Sequence, residues 1–360
     1  MKKIVLLCIH LLFFSGLYAQ VQFRELTMEE ACKVAAEEGK MVFIDCTAPW
    51  CTGCKIIENE LKREKEFAQL MNQLFVNIKV DVETEYGKAF AKKYQIQSLP
   101  TFFFLRSDGS LQHSFTGGSF IERFAEKFWK AINPYTCYSY LNAKYQAGER
   151  NIDLVVKYIE SLQSMRKEQE AQQVKEELWN NCSIQDKINH FSLFFPTSLS
   201  EESKEMQFLL EHREQFRDEI GKNKVNQLLR KSTESLLMQI IQQDTILKTS
   251  QLKSLKKQAE HRELNARELE TLFEMAQVIC KKQEDKMLKI CREKLNGLSE
   301  KRRYIILSHY SSLAQDTKQI TAWLEVCNFY LPTMSEGALG VKGLLINVIE
   351  KLEKKLKDVQ

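Results

Sequence analysis

The sequence contains few of the residues that interrupt regular secondary structure. Its 360 residues include 5 prolines and 13 glycines, and beyond residue 135 the prolines are Pro196 and Pro332. Proline disrupts a helix because it lacks the backbone N–H that the helical hydrogen bond requires. The scarcity of proline after residue 135 therefore favours a helical second part of the chain.

Several enzyme and binding classes lack their characteristic motifs here. No Gly-x-Ser-x-Gly sequence or phosphate-binding loop occurs, and the 6 histidines show no close ligand spacing. No Cys-x-x-Cys is present apart from residues 51–54, so a zinc site with four thiolates is disfavoured and we expect no metal. The formal charge of +4 falls by two if Lys2 and Lys3 are removed with a leader, which gives no reason to expect nucleic acid as a partner.

A long apolar run occurs only at the start of the sequence. Met1-Lys2-Lys3 is followed by an apolar region over residues 4–14 and by Ser-Gly-Leu-Tyr-Ala at residues 15–19, which is the order of regions in a secretory signal peptide. The apolar region is too short for an ordinary transmembrane helix. We therefore predict a signal peptide over residues 1–19 and a secreted or periplasmic location, with an uncleaved membrane anchor as the alternative. Because no later apolar run is long enough to span a bilayer, we expect a soluble mature protein that has no membrane partner.

The cysteines are odd in number once such a leader is removed. The sequence has 10 cysteines, and loss of Cys8 leaves a set that cannot pair completely. Those outside residues 51–54 in the mature chain are Cys32, Cys46, Cys137, Cys182, Cys280, Cys291 and Cys327. We expect most of these to be small buried apolar residues. An exported protein meets oxidants, however, and the connectivity of any disulfide among them stays open.

Two cysteines stand one helical turn apart in the sequence Trp-Cys-Thr-Gly-Cys-Lys at residues 50–55, just after the apolar run at residues 41–44. A strand that leads a Cys-x-x-Cys into the first turn of a helix is typical of a redox site. Unpaired backbone N–H groups and the helix dipole would stabilise a thiolate on Cys51. We therefore predict thiol–disulfide exchange, with Cys51 as the more exposed, attacking thiol and Cys54 as the resolving thiol. An inert or metal-binding cysteine pair is the alternative.

Further chemistry-bearing residues lie at suitable distances from this pair. Leu99-Pro100-Thr101 opens the apolar run at residues 102–105, and Pro100 must lie at the start of a strand because it cannot donate a ladder hydrogen bond. Asp45 interrupts the apolar strand that precedes the cysteines. A carboxylate there is costly to bury unless it has a partner or a task.

Taken together, these residues resemble the thioredoxin family. The resemblance covers about residues 22–134 and implies a cis peptide bond before Pro100, which would face the cysteine pair and help to hold the backbone of a substrate. We accordingly expect Trp50, Leu99, Pro100 and Thr101 to form the substrate-binding surface. The substrates would be proteins that contain disulfides.

The resemblance also assigns roles to two charged residues. It implies that Asp45 lies beneath Cys54 and relays its proton through water, and Lys79 looks like the family lysine that neighbours this aspartate. The alternatives are a structural carboxylate at Asp45 and a half-exposed strand lysine at Lys79.

The sequence also departs from the family pattern. Thr52-Gly53 stands between the cysteines where thioredoxins usually carry Gly-Pro, and Thr47 stands where most carry tryptophan. The reduction potential is therefore not transferable from the family. The chain looks most like secreted thioredoxin-like proteins and the reducing periplasmic domain of transmembrane disulfide reductases.

The remaining pattern predicts two domains. Residues 20–134 are expected to form an α/β thioredoxin fold with the order β-α-β-α-β-β-α, including one long helix after Cys51. Residues 135–360 are expected to form an all-α domain, since apolar residues recur there at helical spacing. Helical-hairpin repeats are one interpretation, although no fixed period aligns.

Two functional hypotheses follow. In the first, the protein is an exported oxidoreductase that reduces, or alternatively isomerises, disulfides of envelope proteins with the help of an upstream electron donor. It would need no cofactor, because the redox-active cysteine pair itself carries the electrons. In the second, the protein is a scaffold in which the helical domain binds a partner and the redox domain is regulatory. The physiological substrate, the reductant, the redox potential and the oligomeric state stay open at this point.

Overall fold

A computed structural model describes residues 20–118, 120–196, 199–264, 266–283, 286–336 and 341–359. The predicted signal peptide at residues 1–19 lies outside the described residues. The chain divides into two compact units, and the first ends at Asp186. We describe each unit by itself.

The first unit contains a mixed sheet of five strands in the order β1-β3-β2-β4-β5. Strands β2 and β3 are parallel, whereas β4 is antiparallel to both β2 and β5. The central strand β2 therefore lies in the middle of the sheet and is buried on both faces. The strands are β1 (Phe23–Arg24), β2 (Met41–Thr47), β3 (Phe75–Asp81), β4 (Thr101–Leu105) and β5 (Leu111–Thr116).

Helices cover both faces of this sheet. Those of the first unit are α1 (Met28–Glu38), α2 (Thr52–Leu61), α3 (Lys65–Leu74), α4 (Glu85–Lys93), α5 (Ile121–Ile132), α6 (Tyr138–Gln146), α7 (Ile152–Ser164) and α8 (Glu168–Asn181). Side chains alternate along β2, so that Phe43 packs into a core rich in phenylalanine with Phe104 and Phe124, and Ile44 packs into a second core with Val80 and Phe103. The sheet therefore sits between two apolar layers.

The predicted α/β fold of the first part of the chain is confirmed, with two differences. The short edge strand β1 pairs with β3 and was not predicted. The single long helix expected after Cys51 is wrong, because residues 62–64 leave the helical conformation and divide it into α2 and α3. This break contains no proline or glycine, so no local signal marked it.

The first unit extends beyond the domain boundary predicted after residue 134. Helices α6 and α7 pack on β5, and the Nδ1 atom of His113 on β5 accepts a hydrogen bond at 3.0 Å from the backbone N–H of Tyr138, the first residue of α6. An edge strand gains protection from wrong pairing when helices cover it. The compact unit therefore includes α6 and α7 as well as the sheet, and a domain boundary at residue 134 stays a prediction.

The second part of the chain is helical, as predicted. After α9 (Ile184–Asn189), which crosses the boundary between the units, the helices are α10 (Phe191–Phe194), α11 (Lys204–Glu211), α12 (Arg213–Ile220), α13 (Lys222–Ile241), α14 (Thr249–His261), α15 (Arg267–Cys280), α16 (Met287–Lys294), α17 (Glu300–Leu313), α18 (Thr317–Tyr330) and α19 (Lys342–Val359). Helix α13 packs on α15, and α18 packs on both α17 and α19. The repeat type stays a prediction. Among the described residues, no helix is both long enough and apolar enough to cross a membrane.

Candidate active site

The two cysteines lie where the central strand passes into α2. After β2 ends at Thr47, a tight turn brings the N–H of Cys51 to the carbonyl of Ala48 at 3.0 Å. Cys51 is the N-cap residue of α2, and its Sγ accepts a hydrogen bond from the backbone N–H of Cys54 at 3.1 Å. Cys51 and Cys54 form a disulfide whose Cα atoms are 5.3 Å apart. The N–H that would stabilise a thiolate on Cys51 is therefore already directed at its sulfur.

Exposure does not distinguish the two cysteines. Cys51 is 4% exposed and Cys54 is 3% exposed, so the two are nearly equally buried and the expected difference in exposure is absent. Both side chains pack with Ala48 against Val82 and Leu99. What separates the two sulfurs is their place in the helix, because Cys51 caps α2 and Cys54 lies inside its first turn.

The segment around Pro100 lies against the same cluster. The peptide bond between Leu99 and Pro100 is cis, as the resemblance implied, and Leu99 contacts the cysteine cluster. The Thr101 hydroxyl donates to the Ser98 carbonyl at 2.7 Å and lies 2.9 Å from the Thr116 hydroxyl. This threonine pair joins the starting residue of β4 to the last residue of β5.

Trp50 presents an exposed aromatic surface next to Cys51 in the sequence. Its side chain is 65% exposed, and its indole Nε1–H donates to Glu83 at 2.8 Å. This hydrogen bond fixes the ring while its faces remain accessible. An ordered, accessible indole is suited to contacting the backbone or an apolar side chain of another protein.

Asp45 is a buried carboxyl group on the central strand. It is 5% exposed, and its Oδ1 has no hydrogen-bond partner among the described residues. Burial raises the pKa of Asp45 to about 7, while Lys79 opposes this shift and Glu58 adds to it. The carboxyl group can therefore take up or release a proton near neutral pH.

Lys79 lies opposite Asp45 in the register of β2 and β3. Its ammonium group forms an ion pair with Glu58 at 3.1 Å and lies over the ring of Phe23 at 4.6 Å. Glu58 thus competes with Asp45 for the positive charge. Lys79 and Asp45 are neighbours in the sheet, as the resemblance implied, but Lys79 forms its ion pair with Glu58.

The sequence interpretation gave no role to Glu58 or Glu83. Glu58 lies four residues after Cys54, and this spacing places the two residues on one face of α2. That spacing was the available signal. Glu83 gave none, because its contact with Trp50 joins residues that are far apart in the sequence.

The other cysteines of the described chain are not in disulfides. Burial raises the pKa of Cys46 and Cys291, which keeps both as neutral thiols. No group of three or more histidine, cysteine, aspartate or glutamate side chains within the described ranges could hold a metal ion.

Comparison with known proteins places this site in a family. The model of a thioredoxin-like domain matches residues 28–132. Thioredoxin-1 of Drosophila melanogaster is 32% identical over 85 residues, which are 24% of this chain and 74% of the fly protein. A protein disulfide-isomerase of Triticum aestivum is 29% identical over 93 residues, which are 26% of this chain and 18% of the wheat protein. The chain therefore spans less than a fifth of the length of that isomerase.

One solved structure is similar to the same region. A protein of Bacteroides thetaiotaomicron, provisionally described as a disulphide-isomerase, is 30% identical, and the match covers 33% of this chain and 98% of that protein with a TM-score of 0.31. Each of these matches covers a third of this chain or less.

Proposed function

Since this chain belongs to the thioredoxin-like family, we propose that it is an exported thiol–disulfide oxidoreductase that reduces disulfides of other proteins. The observation that carries this proposal is the Cys51–Cys54 disulfide at the first turn of α2, with the Cys54 N–H directed at the Cys51 sulfur. A thiol in that position is activated as a nucleophile.

The proposed reaction begins with the reduced pair. The Cys51 thiolate attacks one sulfur of a substrate disulfide, which forms a mixed disulfide and releases a substrate thiolate. Cys54 loses its proton and attacks the Cys51 sulfur, so that the second substrate thiolate leaves and the Cys51–Cys54 disulfide forms. Two electrons pass to the substrate. An upstream dithiol donor must return them, and the cysteine pair serves without an added cofactor.

We assign the proton of Cys54 to Asp45. A general base works best when its pKa lies near the working pH, and burial gives Asp45 a pKa of about 7. Lys79 and Glu58 act indirectly, since Lys79 lowers the pKa of Asp45 and Glu58 raises it.

The substrate would bind beside Cys51 on the surface formed by Trp50, Leu99, Pro100 and Thr101. Leu99 already contacts the cysteine cluster, and the indole of Trp50 is accessible and fixed by Glu83. Residues 135–360 would select or position partner proteins without adding catalytic groups.

Export and envelope substrates are supported by the signal-like pattern of residues 1–19. Disulfide-containing proteins are abundant outside the cytosol. Reduction is the favoured direction and isomerisation is the alternative, and the reduction potential of the pair distinguishes them.

The proposal is tested by turnover on insulin, with a dithiol as electron donor. Reduction of the interchain disulfides separates the insulin chains, and the precipitate of the freed chain reports the rate. Full-length protein should reduce insulin, and Cys51→Ser and Cys54→Ser should each lose turnover. Cys280→Ser is the matched control, because Cys280 is a half-buried cysteine outside the redox pair, and it should retain the rate. Equal rates for wild type and Cys51→Ser would refute the proposal and favour the scaffold hypothesis.

A further inference from the structure

A cavity of about 520 Å³ lies in the first unit, outside the cysteine cluster. It is formed by β5, α5 and α7 together with the turn that follows α7. We call it the basic cavity. Its charged lining residues are Glu126, Lys127, Lys130, Lys157, Glu160 and Arg166.

Cations outnumber carboxylates in the basic cavity. The Lys130 ammonium lies 3.3 Å from Glu126 and 3.9 Å from Glu160, so a single lysine engages both carboxylates. Lys127 and Lys157 form no ion pair with any residue that the structure describes. The cavity therefore holds positive charge that its own lining does not balance.

Arg166 adds to this imbalance. Its guanidinium lies 3.8 Å from Glu168, and both side chains of that pair are exposed. An exposed pair at this distance is weak and is screened by salt. Arg166 thus remains available to a second anionic partner.

Lys127 is the least solvated of these cations. Its ammonium donates to the Thr116 carbonyl at 2.6 Å and lies 5.5 Å from the centre of the Phe115 ring. Burial, and then the charge of Arg166, lower the pKa of Lys127. The charges of the partly buried Lys127 and the exposed Arg166 therefore repel each other, and a bound anion would offset that repulsion.

Neutral hydrogen-bond donors line the same cavity. Ser161 is 5% exposed, and its hydroxyl oxygen is buried without a hydrogen-bond partner among the described residues. An unpaired buried hydroxyl is costly. A ligand that accepts a hydrogen bond from the Ser161 hydroxyl would remove this cost.

His113 supplies a second neutral donor. Burial first, and then Lys127 and Lys130, lower its pKa to about 4, so the ring is neutral at pH 7. Its Nδ1 accepts from the Tyr138 N–H, which places the ring proton on Nε2. The cavity thus combines cationic and neutral donors.

We propose that the basic cavity is a binding site for an oxyanion, either a carboxylate or a phosphate group, held by Lys127, Arg166 and the hydroxyl of Ser161. Carboxylates and phosphates are the groups whose oxygens accept such charge-assisted hydrogen bonds. Free phosphate and an acidic side chain of a bound polypeptide are the two sources of such an oxyanion, and the two arms of the test distinguish them.

The site would adjoin the segment that contains Pro100. Lys127 binds the Thr116 carbonyl, and the N–H of the next residue, Gly117, donates to the Pro100 carbonyl at 2.8 Å. A polypeptide that runs past Pro100 would therefore have a basic cavity within reach of its acidic side chains.

The first arm of the test measures inorganic phosphate binding to the full chain by calorimetry. Loss of one charge-assisted contact in Lys127→Met, or of the hydroxyl in Ser161→Ala, should weaken binding by about tenfold. Lys88→Met is the matched control, because Lys88 is an exposed lysine on α4, and it should bind as the wild type does. Ser161→Ala should fold at least as stably as wild type without phosphate, since it removes an unpaired buried hydroxyl.

The second arm measures the binding of a fluorescent glutamate-rich peptide without cysteine and of its glutamine counterpart. Preference for the glutamate peptide, lost in Lys127→Met and Ser161→Ala but kept in Lys88→Met, identifies a polypeptide carboxylate as the ligand. Phosphate binding with the same variant pattern and no peptide preference identifies a free anion. If neither probe distinguishes Lys127→Met and Ser161→Ala from the control, the site does not exist. Neither arm measures turnover, so this result is independent of the redox proposal.

Discussion

Replacing Asp45 by asparagine should change how the stability of the sheet depends on pH. The pKa of Asp45 is raised from its ordinary 3.8 to about 7. Between these values the folded protein keeps a proton that the unfolded chain has released. Stability that is present at about pH 4 is therefore lost as the pH rises toward about 7, and the loss ends above that pH.

The size of the effect follows from the same shift. A difference of about three pKa units corresponds to about 4 kcal/mol, because each unit is worth about 1.36 kcal/mol. The Asp45→Asn variant would carry no titrating group at this position, so it would escape this loss. Its amide would also be buried with few partners, which adds a cost of about 1–3 kcal/mol that is independent of pH. The slope against pH, about 1.4 kcal/mol per unit, is therefore the informative quantity.

Hydrogen exchange of the amides in β2 and β3 measures the pH dependence of stability in the first unit, which contains Asp45. Wild type and Asp45→Asn are compared in the oxidised state at equal pH, so that the intrinsic exchange rate cancels. Protection of the variant relative to wild type should grow between about pH 4 and 7 and then stay constant. Glu37→Gln, which removes an exposed carboxylate on α1, is the matched control. Parallel pH profiles for wild type and Asp45→Asn would refute the reasoning.

Three further outcomes are expected. Glu58→Gln should lower the pKa of Asp45, because the charge of Glu58 raises that pKa and Glu58 also forms an ion pair with Lys79. The pH midpoint of mixed-disulfide resolution should fall accordingly. The thiol of reduced Cys51 should titrate below the free-thiol pKa of about 8.5, as measured by the pH dependence of alkylation, because the Cys54 N–H is directed at its sulfur. A fragment of residues 20–186 should reduce insulin at close to the full-length rate, whereas residues 20–134 alone should be less stable, because they lack the helices that cover β5.

Each of these outcomes has a clear contradiction. Glu66→Gln on α3, an exposed residue, is the control for Glu58→Gln, and equal midpoints for both would remove Glu58 from the mechanism. An unshifted thiol titration would leave the helix start without electrostatic effect. A folded but inactive fragment of residues 20–186 would place an essential group in the second unit.

The redox site could be predicted because its signals are local. Cys51 and Cys54 are spaced by one helical turn, Pro100 precedes an apolar strand, and Asp45 interrupts another. Each residue type is restricted at its position by backbone geometry or by the cost of burial. The cis peptide bond before Pro100 followed from the family resemblance and is present in the structure.

The remaining features depend on contacts between distant residues. The pairing of Lys79 with Glu58 requires β3 and α2 to be adjacent, and the covering of β5 by α6 and α7 requires the tertiary arrangement of the first unit. The near-equal burial of Cys51 and Cys54 depends on Leu99, which is far away in the sequence. Periodicity and spacing carry no information about such contacts.

The central claim is that Cys51 forms the bond to substrate and Cys54 resolves it. The most direct measurement is mass spectrometry of mixed disulfides trapped by the full-length Cys54→Ser variant during incubation with oxidised substrate proteins. We predict that every trapped species is linked through Cys51, that dithiol treatment releases it, and that Cys51→Ser traps none through Cys54. Linkage through Cys54 in the Cys51→Ser variant, together with no linkage through Cys51 in the Cys54→Ser variant, would contradict this assignment.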